Sequence, residues 1–134
     1  MIVVDSSVWI DHLNGRSTDA VAILHRLLAD DRETIAVGDI VLYEVLSGLR
    51  SDRAVAEVRL LLGGLTPAPM LGFHLAHAAA DNYRTLRARG VTVNTADTFI
   101  ATYCIENRAE LLTRDRDFLP IRDHLGLQLV PTIA

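Results

Sequence analysis

The sequence predicts an α/β domain, a three-layer α/β/α sandwich around a short, mainly parallel central sheet. Three observations predict it. Short runs rich in β-branched residues and leucine recur along the chain, stretches with helical periodicity separate them, and 134 residues, half of them hydrophobic, suffice for one core but not two. Strands that alternate with helices connect by right-handed crossovers into a parallel sheet covered on both faces. One domain spanning residues 1–134 is therefore expected.

The elements follow in chain order. Ile2 to Val4, Thr34 to Val37, Leu111 to Thr113 and Leu127 to Val130 read as buried strands. Leu65 to Leu71 is a weaker strand, confined to a sheet edge by Pro67 and Pro69, which cannot donate to a ladder. Ser7 to Leu13 reads as the first helix, and Ser17 to Asp30 as the second, with Val21, Leu24, Leu27 and Leu28 on one face. Asp39 to Arg50 and Asp52 to Leu62 come next, then Gly72 to Arg89, closed by Gly90 as a C-terminal cap. Thr95 to Asn107 is the last long helix, and a short one is expected after Asp115. There is no internal repeat, low-complexity segment or linker.

Composition narrows the class. With 5% aromatic and 22% charged residues the chain is neither disordered nor fibrous. The longest uncharged stretch, Leu60 to Ala80, contains two prolines and two histidines and is no membrane span. The start, Met1-Ile2-Val3-Val4-Asp5, places an acid in the apolar run, unlike a secretory signal, and a cytoplasmic protein is expected. Cys104, the single cysteine, reads as helix packing beside Ile100, Ala101 and Ile105. A net charge of −4 from 17 acids and 13 bases runs against nucleic-acid binding, but two divalent cations held by four of those acids would cancel it formally. Every base is arginine, which suits bidentate phosphate contact but equally fits genome composition.

In parallel sheets, ligands bind beyond the carboxyl ends of the strands. The first strand ends in Asp5-Ser6-Ser7 and a late one in Arg114-Asp115-Arg116-Asp117, so both deliver carboxylates to one edge. Helix capping and turn formation are the competing account of Asp5 and Asp115. Glu44 is harder to explain as a solvated residue: Ile40 and Val41 lie one turn before it, Ser47 and Gly48 one turn after. A glycine inside that helix, costing about 1 kcal/mol relative to alanine, suggests close approach of another group at Gly48. Asp97 heads an apolar stripe of Ile100, Ala101, Cys104 and Ile105, although with Thr95 as N-cap it would also suit the helix dipole. Two like charges about 4 Å apart at an effective dielectric near 20 cost about 4 kcal/mol, so four converging acids demand a counter-charge. An all-carboxylate set without His or Cys suits Mg²⁺ or Mn²⁺ rather than zinc. Metal so held can activate water and neutralise a departing oxygen, as phosphodiester hydrolysis requires.

Four ordered blocks carry a resemblance: Val3-Val4-Asp5-Ser6-Ser7-Val8-Trp9-Ile10, Tyr43-Glu44-Val45-Leu46-Ser47-Gly48-Leu49, Asn94-Thr95-Ala96-Asp97-Thr98-Phe99-Ile100-Ala101 and Leu111-Leu112-Thr113-Arg114-Asp115-Arg116-Asp117-Phe118. Together they resemble the PIN-domain proteins of the VapC toxin type over essentially the whole chain. The resemblance implies that Asp5, Glu44, Asp97 and Asp115 are the acidic metal-site positions, Asp117 an additional acid, and Ser6 and Thr113 supporting hydroxyls. It further implies Mg²⁺-dependent endoribonuclease activity on structured RNA such as tRNA or rRNA, with Mn²⁺ able to substitute. Homodimerisation and inhibition by a cognate antitoxin are implied in the same way.

Arg50, Arg53, Arg114 and Arg116, near the acid blocks in sequence, are candidates for phosphate contact, with surface solvation as the alternative. His74 and His77 lie three apart on a helix but lack a third ligand in reach, so they are expected to be solvated or packed. Trp9 and Tyr43 sit in apolar runs and are expected in the core rather than stacked on bases. No Gly-x-Ser-x-Gly elbow or Walker loop is present, and the absence of lysine argues against a phosphotransfer receiver. A second functional reading stands beside the ribonuclease: a metal-binding, PIN-like module that turns over little and whose acids receive an arginine-bearing partner segment.

Overall fold

The computed structural model describes residues 1–132. Four short strands, β1 (Ile2–Val4), β2 (Ile35–Gly38), β3 (Thr66–Ala68) and β4 (Glu110–Leu112), form one parallel sheet in the order β3-β2-β1-β4. Val3 pairs with Ala36 on one side and Leu111 on the other, which makes β1 a central strand. Its residues are fully apolar and buried, as a strand covered on both faces must be. β3 lies at the edge, where Pro67 costs no ladder bond that the sheet needs.

Seven helices cover the sheet as a three-layer α/β/α sandwich: α1 (Ser6–Leu13), α2 (Asp19–Ala29), α3 (Asp39–Ser47), α4 (Asp52–Gly63), α5 (Phe73–Ala88), α6 (Thr95–Glu106) and α7 (Leu119–Leu125). They pack as two groups, α1 to α4 and α5 to α7. A 3₁₀ turn, Arg116–Phe118, leads into α7. None of the described helices is long and apolar enough to cross a membrane. Trp9, Leu24, Met70, Ile100, Cys104 and Phe118 belong to one continuous buried cluster with the strands.

One local signal, the cap after α5, has the expected outcome. Gly90, at φ +79°, follows the C-cap of α5 in the left-handed region that glycine tolerates. Thr18 and Ser51 cap α2 and α4 by accepting from Val21 N and Ala54 N. The expected strand Leu127 to Val130 does not form. It is reduced to one parallel bridge between Leu129 and Leu111, with Leu111 N donating to Gln128 O and Val130 N to Leu111 O, both at 2.9 Å. Pro131, having no N–H, follows directly.

Close approach of another group occurs at Gly38, not at Gly48. A Cβ on Gly38 would collide with the buried Met70 side chain, whereas one on Gly48, the C-cap of α3, would meet only carbonyls of its own helix at 3.6 and 3.7 Å. Gly48 therefore ends the helix instead of admitting a neighbour. Next to Gly38, Asp39 accepts from Ile40 N and Met70 N, each at 2.9 Å, and from Leu71 N at 3.3 Å. This strand-end acid is consumed in tying the exit of β3 to the start of α3.

Candidate metal centre

Because every strand of the sheet runs the same way, the residues after β1 and β4 meet at one edge. Asp5 follows β1 in extended conformation at the N-cap position of α1, yet its side chain makes no capping bond. Instead Asp5 Oδ2 accepts from the Ser7 hydroxyl at 2.8 Å and from the hydroxyl of Thr113, the first residue past the neighbouring strand β4, at 2.9 Å. Thr113 Oγ1 in turn accepts from Asp115 N at 2.9 Å, and Asp115 Oδ1 from Asp117 N at 2.9 Å. One hydrogen-bonded chain thus sets the spacing of the two strand-end blocks. The role of Ser7 is absent from the sequence reading, although a serine two residues after a strand-end aspartate is well placed for such a bond. The hydroxyl of Ser6 bears on Glu44 instead.

The helix acids enter from the sides. Glu44 shares the inner face of α3 with the buried Ile40, Val41 and Val45. Its Oε1 is buried with no hydrogen-bond partner. Asp97 lies in the first turn of α6, and the N-cap is Asn94, not Thr95. Asn94 Oδ1 accepts from Asp97 N at 2.8 Å while Asn94 Nδ2 donates to Asp97 Oδ2 at 3.1 Å, so the cap also orients the carboxylate.

Electrostatics distinguish this cluster from ordinary surface acids. Burial, then the charges of Asp5 and Asp115, push Asp97 up to about 7 from an ordinary 3.8, opposed by its bond to Asn94, with a smaller upward push from Glu44. Burial and the neighbouring Asp5 raise Glu44, against a smaller pull from Ser6. Burial raises Asp5 as well, although the Ser7 and Thr113 hydroxyls and the Ser6 amide favour its charged form and hold the rise down. Carboxylate oxygens of Asp97, Asp115 and Asp117 lie within 4.8 Å of one another. Asp5 and Glu44 stand outside that trio. An all-oxygen donor set, a partnerless buried oxygen and mutual repulsion fit a hard divalent cation.

Of the phosphate-contact candidates, Arg114 is committed elsewhere: its guanidinium pairs with Asp11 of α1. Arg53 pairs with Glu57 at 3.1 Å on the outer face of α4, and Arg50 is exposed. Arg116 is exposed and has no ion pair among the described residues. It opens onto a groove of about 950 Å³ that begins at Thr113 and Asp115 and continues past Arg122 to Thr18. Asp5, Glu44 and Asp97 do not line this groove, which leads away from the acids on one side. Trp9 is fully buried, but Tyr43, expected in the core, is 72% exposed. It sits one position before Glu44, about 100° round the helix from it and turned away from the face of Ile40, Val41 and Val45 that the core uses. His74 and His77 are exposed.

The family model for the PIN domain matches residues 2–123. VapC ribonuclease Mb1587 of Mycobacterium bovis and ribonuclease VapC11 of Mycobacterium tuberculosis are each 33% identical to the chain over 132 residues, covering 96% of both partners. Among solved structures, VapBC2 from Rickettsia felis, bound to a DNA fragment from its promoter, superposes with a TM-score of 0.77 at 21% identity, covering 97% of this chain and 98% of that one.

Proposed function

Since the chain belongs to the PIN-domain family and has VapC ribonucleases as near-full-length relatives, we propose that it is a Mg²⁺-dependent endoribonuclease, the toxin of a toxin–antitoxin pair. In this reading residues 1–134 form one nuclease domain. Support comes above all from the uncompensated acid cluster, in which three carboxylates converge within 4.8 Å and Asp97 is pushed up to about 7. Such a cluster is costly unless it serves a cation.

Asp97, Asp115 and Asp117 would hold the ion, with Asp5 and Glu44 completing the acidic wall. When bound, Mg²⁺ or Mn²⁺ lowers the pKa of water and neutralises charge that develops on phosphate oxygens. The chain's own residues do the rest. Ser7 and Thr113 fix Asp5 Oδ2, so that this carboxylate cannot swing to solvent. Asn94 fixes Asp97 Oδ2 in the same manner. Glu44 Oε1, buried and partnerless, is left as an acceptor for a proton of the attacking water. Arg116, unpaired among the described residues, lines the groove that leaves Asp115 and would track the RNA backbone, whereas Arg122, further along it, is paired with Asp123 at 3.0 Å. Structured RNA, tRNA or rRNA, is the proposed substrate class. The exposed apolar side chains of Tyr43, Leu71 and Phe73 favour protein partners, which we assign to an antitoxin and a second copy of the chain.

Incubation of the purified chain with total RNA, followed by mapping of the new ends, tests the reading. Discrete cuts in tRNA or rRNA that need Mg²⁺ or Mn²⁺ and stop with chelator are expected. Intact RNA in the presence of folded, metal-supplied protein would overturn it.

A further inference from the structure

Away from the acids, two imidazoles meet across the junction of α1 and α2. His12, in the last turn of α1, approaches His25, near the end of α2, with Nδ1 and Nε2 only 3.0 Å apart and the rings inclined at 79°. Two ring nitrogens so close must share something: a proton on one of them, or a metal ion between their lone pairs. Both side chains face a cavity of about 290 Å³, lined also by Gly15, Arg16, Ser17 and Thr18, which has room for a cation and its water ligands. None of the lining residues is a carboxylate. The charge of Arg16 is directed to Asp11, 3.5 Å away. Burial also lowers the basicity of His12, so a proton competes less for its nitrogen.

We propose that His12 and His25 form a transition-metal site, separate from the acidic centre and opposite to it in chemical hardness. Neutral imidazole nitrogens, with water in the open positions, select Cu²⁺, Ni²⁺ or Zn²⁺ over Mg²⁺, and Cu²⁺ binds most tightly of these. The metal replaces the shared proton and staples α1 to α2. No part of this depends on the nuclease reading.

Trp9, the chain's single tryptophan, supplies a local reporter. Its ring stands edge-on to His12 with centroids 6.3 Å apart, so Cu²⁺ held at the pair quenches its emission. Titration of the whole chain with Cu²⁺, in millimolar Mg²⁺ to occupy the acids, is expected to give saturable quenching at one equivalent. Roughly tenfold or weaker binding is expected for His25→Gln, which keeps a side chain of similar length but loses the imidazole. Asp97→Asn and His77→Ala should titrate like the parent chain. Quenching that keeps its affinity in His25→Gln, disappears in Asp97→Asn, or never saturates overturns the site.

Discussion

Two aspartates in this molecule are almost equally buried, and their surroundings could hardly differ more. Asp11 is 4% exposed and Asp97 is 7% exposed. Asp11, on α1, is clasped by Arg114 and Arg16. Asp97, on α6, faces Asp5, Asp115 and Glu44, and its nearest help is the neutral amide of Asn94. A buried charge with partners holds structure together, whereas one surrounded by its own kind is tolerated only where something absent from the chain completes it. The arginine that might have neutralised the acids is turned away: Arg114 sits between Thr113 and Asp115 in sequence, yet it pairs with Asp11. The fold thus sends one of the two arginines that flank Asp115 to the other region and leaves only Arg116 beside the acids.

Exchange of each carboxylate for an amide should separate the two regions most sharply. Asp97→Asn is expected to lower RNA cutting by about a thousandfold or more while the metal-free protein melts no lower than the parent, since a repelling charge has gone. Asp11→Asn is expected to do the reverse. It leaves two arginines without their counter-charge and with one acceptor oxygen between them, and costs about 1–3 kcal/mol of stability, read by denaturant unfolding, and the response to Mg²⁺ persists. A stable, inactive Asp11→Asn alongside a cutting Asp97→Asn would invert the comparison.

The same contrast predicts how stability depends on pH. Asp97 titrates at about 7 in the fold against an ordinary 3.8, so the folded chain holds its proton more tightly than the unfolded chain does. The resulting stabilisation is complete below the unfolded value and is lost as pH rises from about 4 through about 7. On the order of 3 kcal/mol is at stake, most of which Asp97→Asn should abolish. Mg²⁺ added at pH 8 should restore stability by mass action, because it binds the folded state. Melting temperatures measured across this range with and without Mg²⁺ check it, and a flat metal-free profile would count against the cluster.

How much of this was legible in the sequence depends on the range of the interaction. The strands β1 and β2, the helix faces and the strand-end positions of Asp5 and Asp115 follow from local pattern, because burial on both faces and a period near 3.6 are written into adjacent residues. The apolar neighbours of Glu44 and Asp97 pointed inward for the same reason. Asn94 as cap was also within reach, since Asn94-Thr95-Ala96-Asp97 puts a capping residue three before an acid. Pairs distant in sequence were not legible. Arg114 and Asp11 are 103 residues apart, and Thr113 and Asp5 are 108 apart. Arg114 therefore looked as free as Arg116. Tyr43 reads as core because an aromatic residue in an apolar run resembles it, but α3 spends its buried face on Ile40, Val41 and Val45.

That difference between neighbouring arginines gives the subtlest test. Phosphate contacts release counterions, so each one adds about 0.7 to the slope of log affinity against log salt for a single strand. Arg116→Ala, in the groove that leaves Asp115 and with no ion pair among the described residues, should reduce that slope by about this amount in anisotropy titrations of a labelled RNA with no metal present. Arg114→Ala should leave the slope unchanged and lower stability instead, because its charge is already committed to Asp11. If Arg114→Ala alone altered the slope, then its pairing would give way when RNA arrives, and the crevice would borrow back the cation that the folded chain assigns to α1.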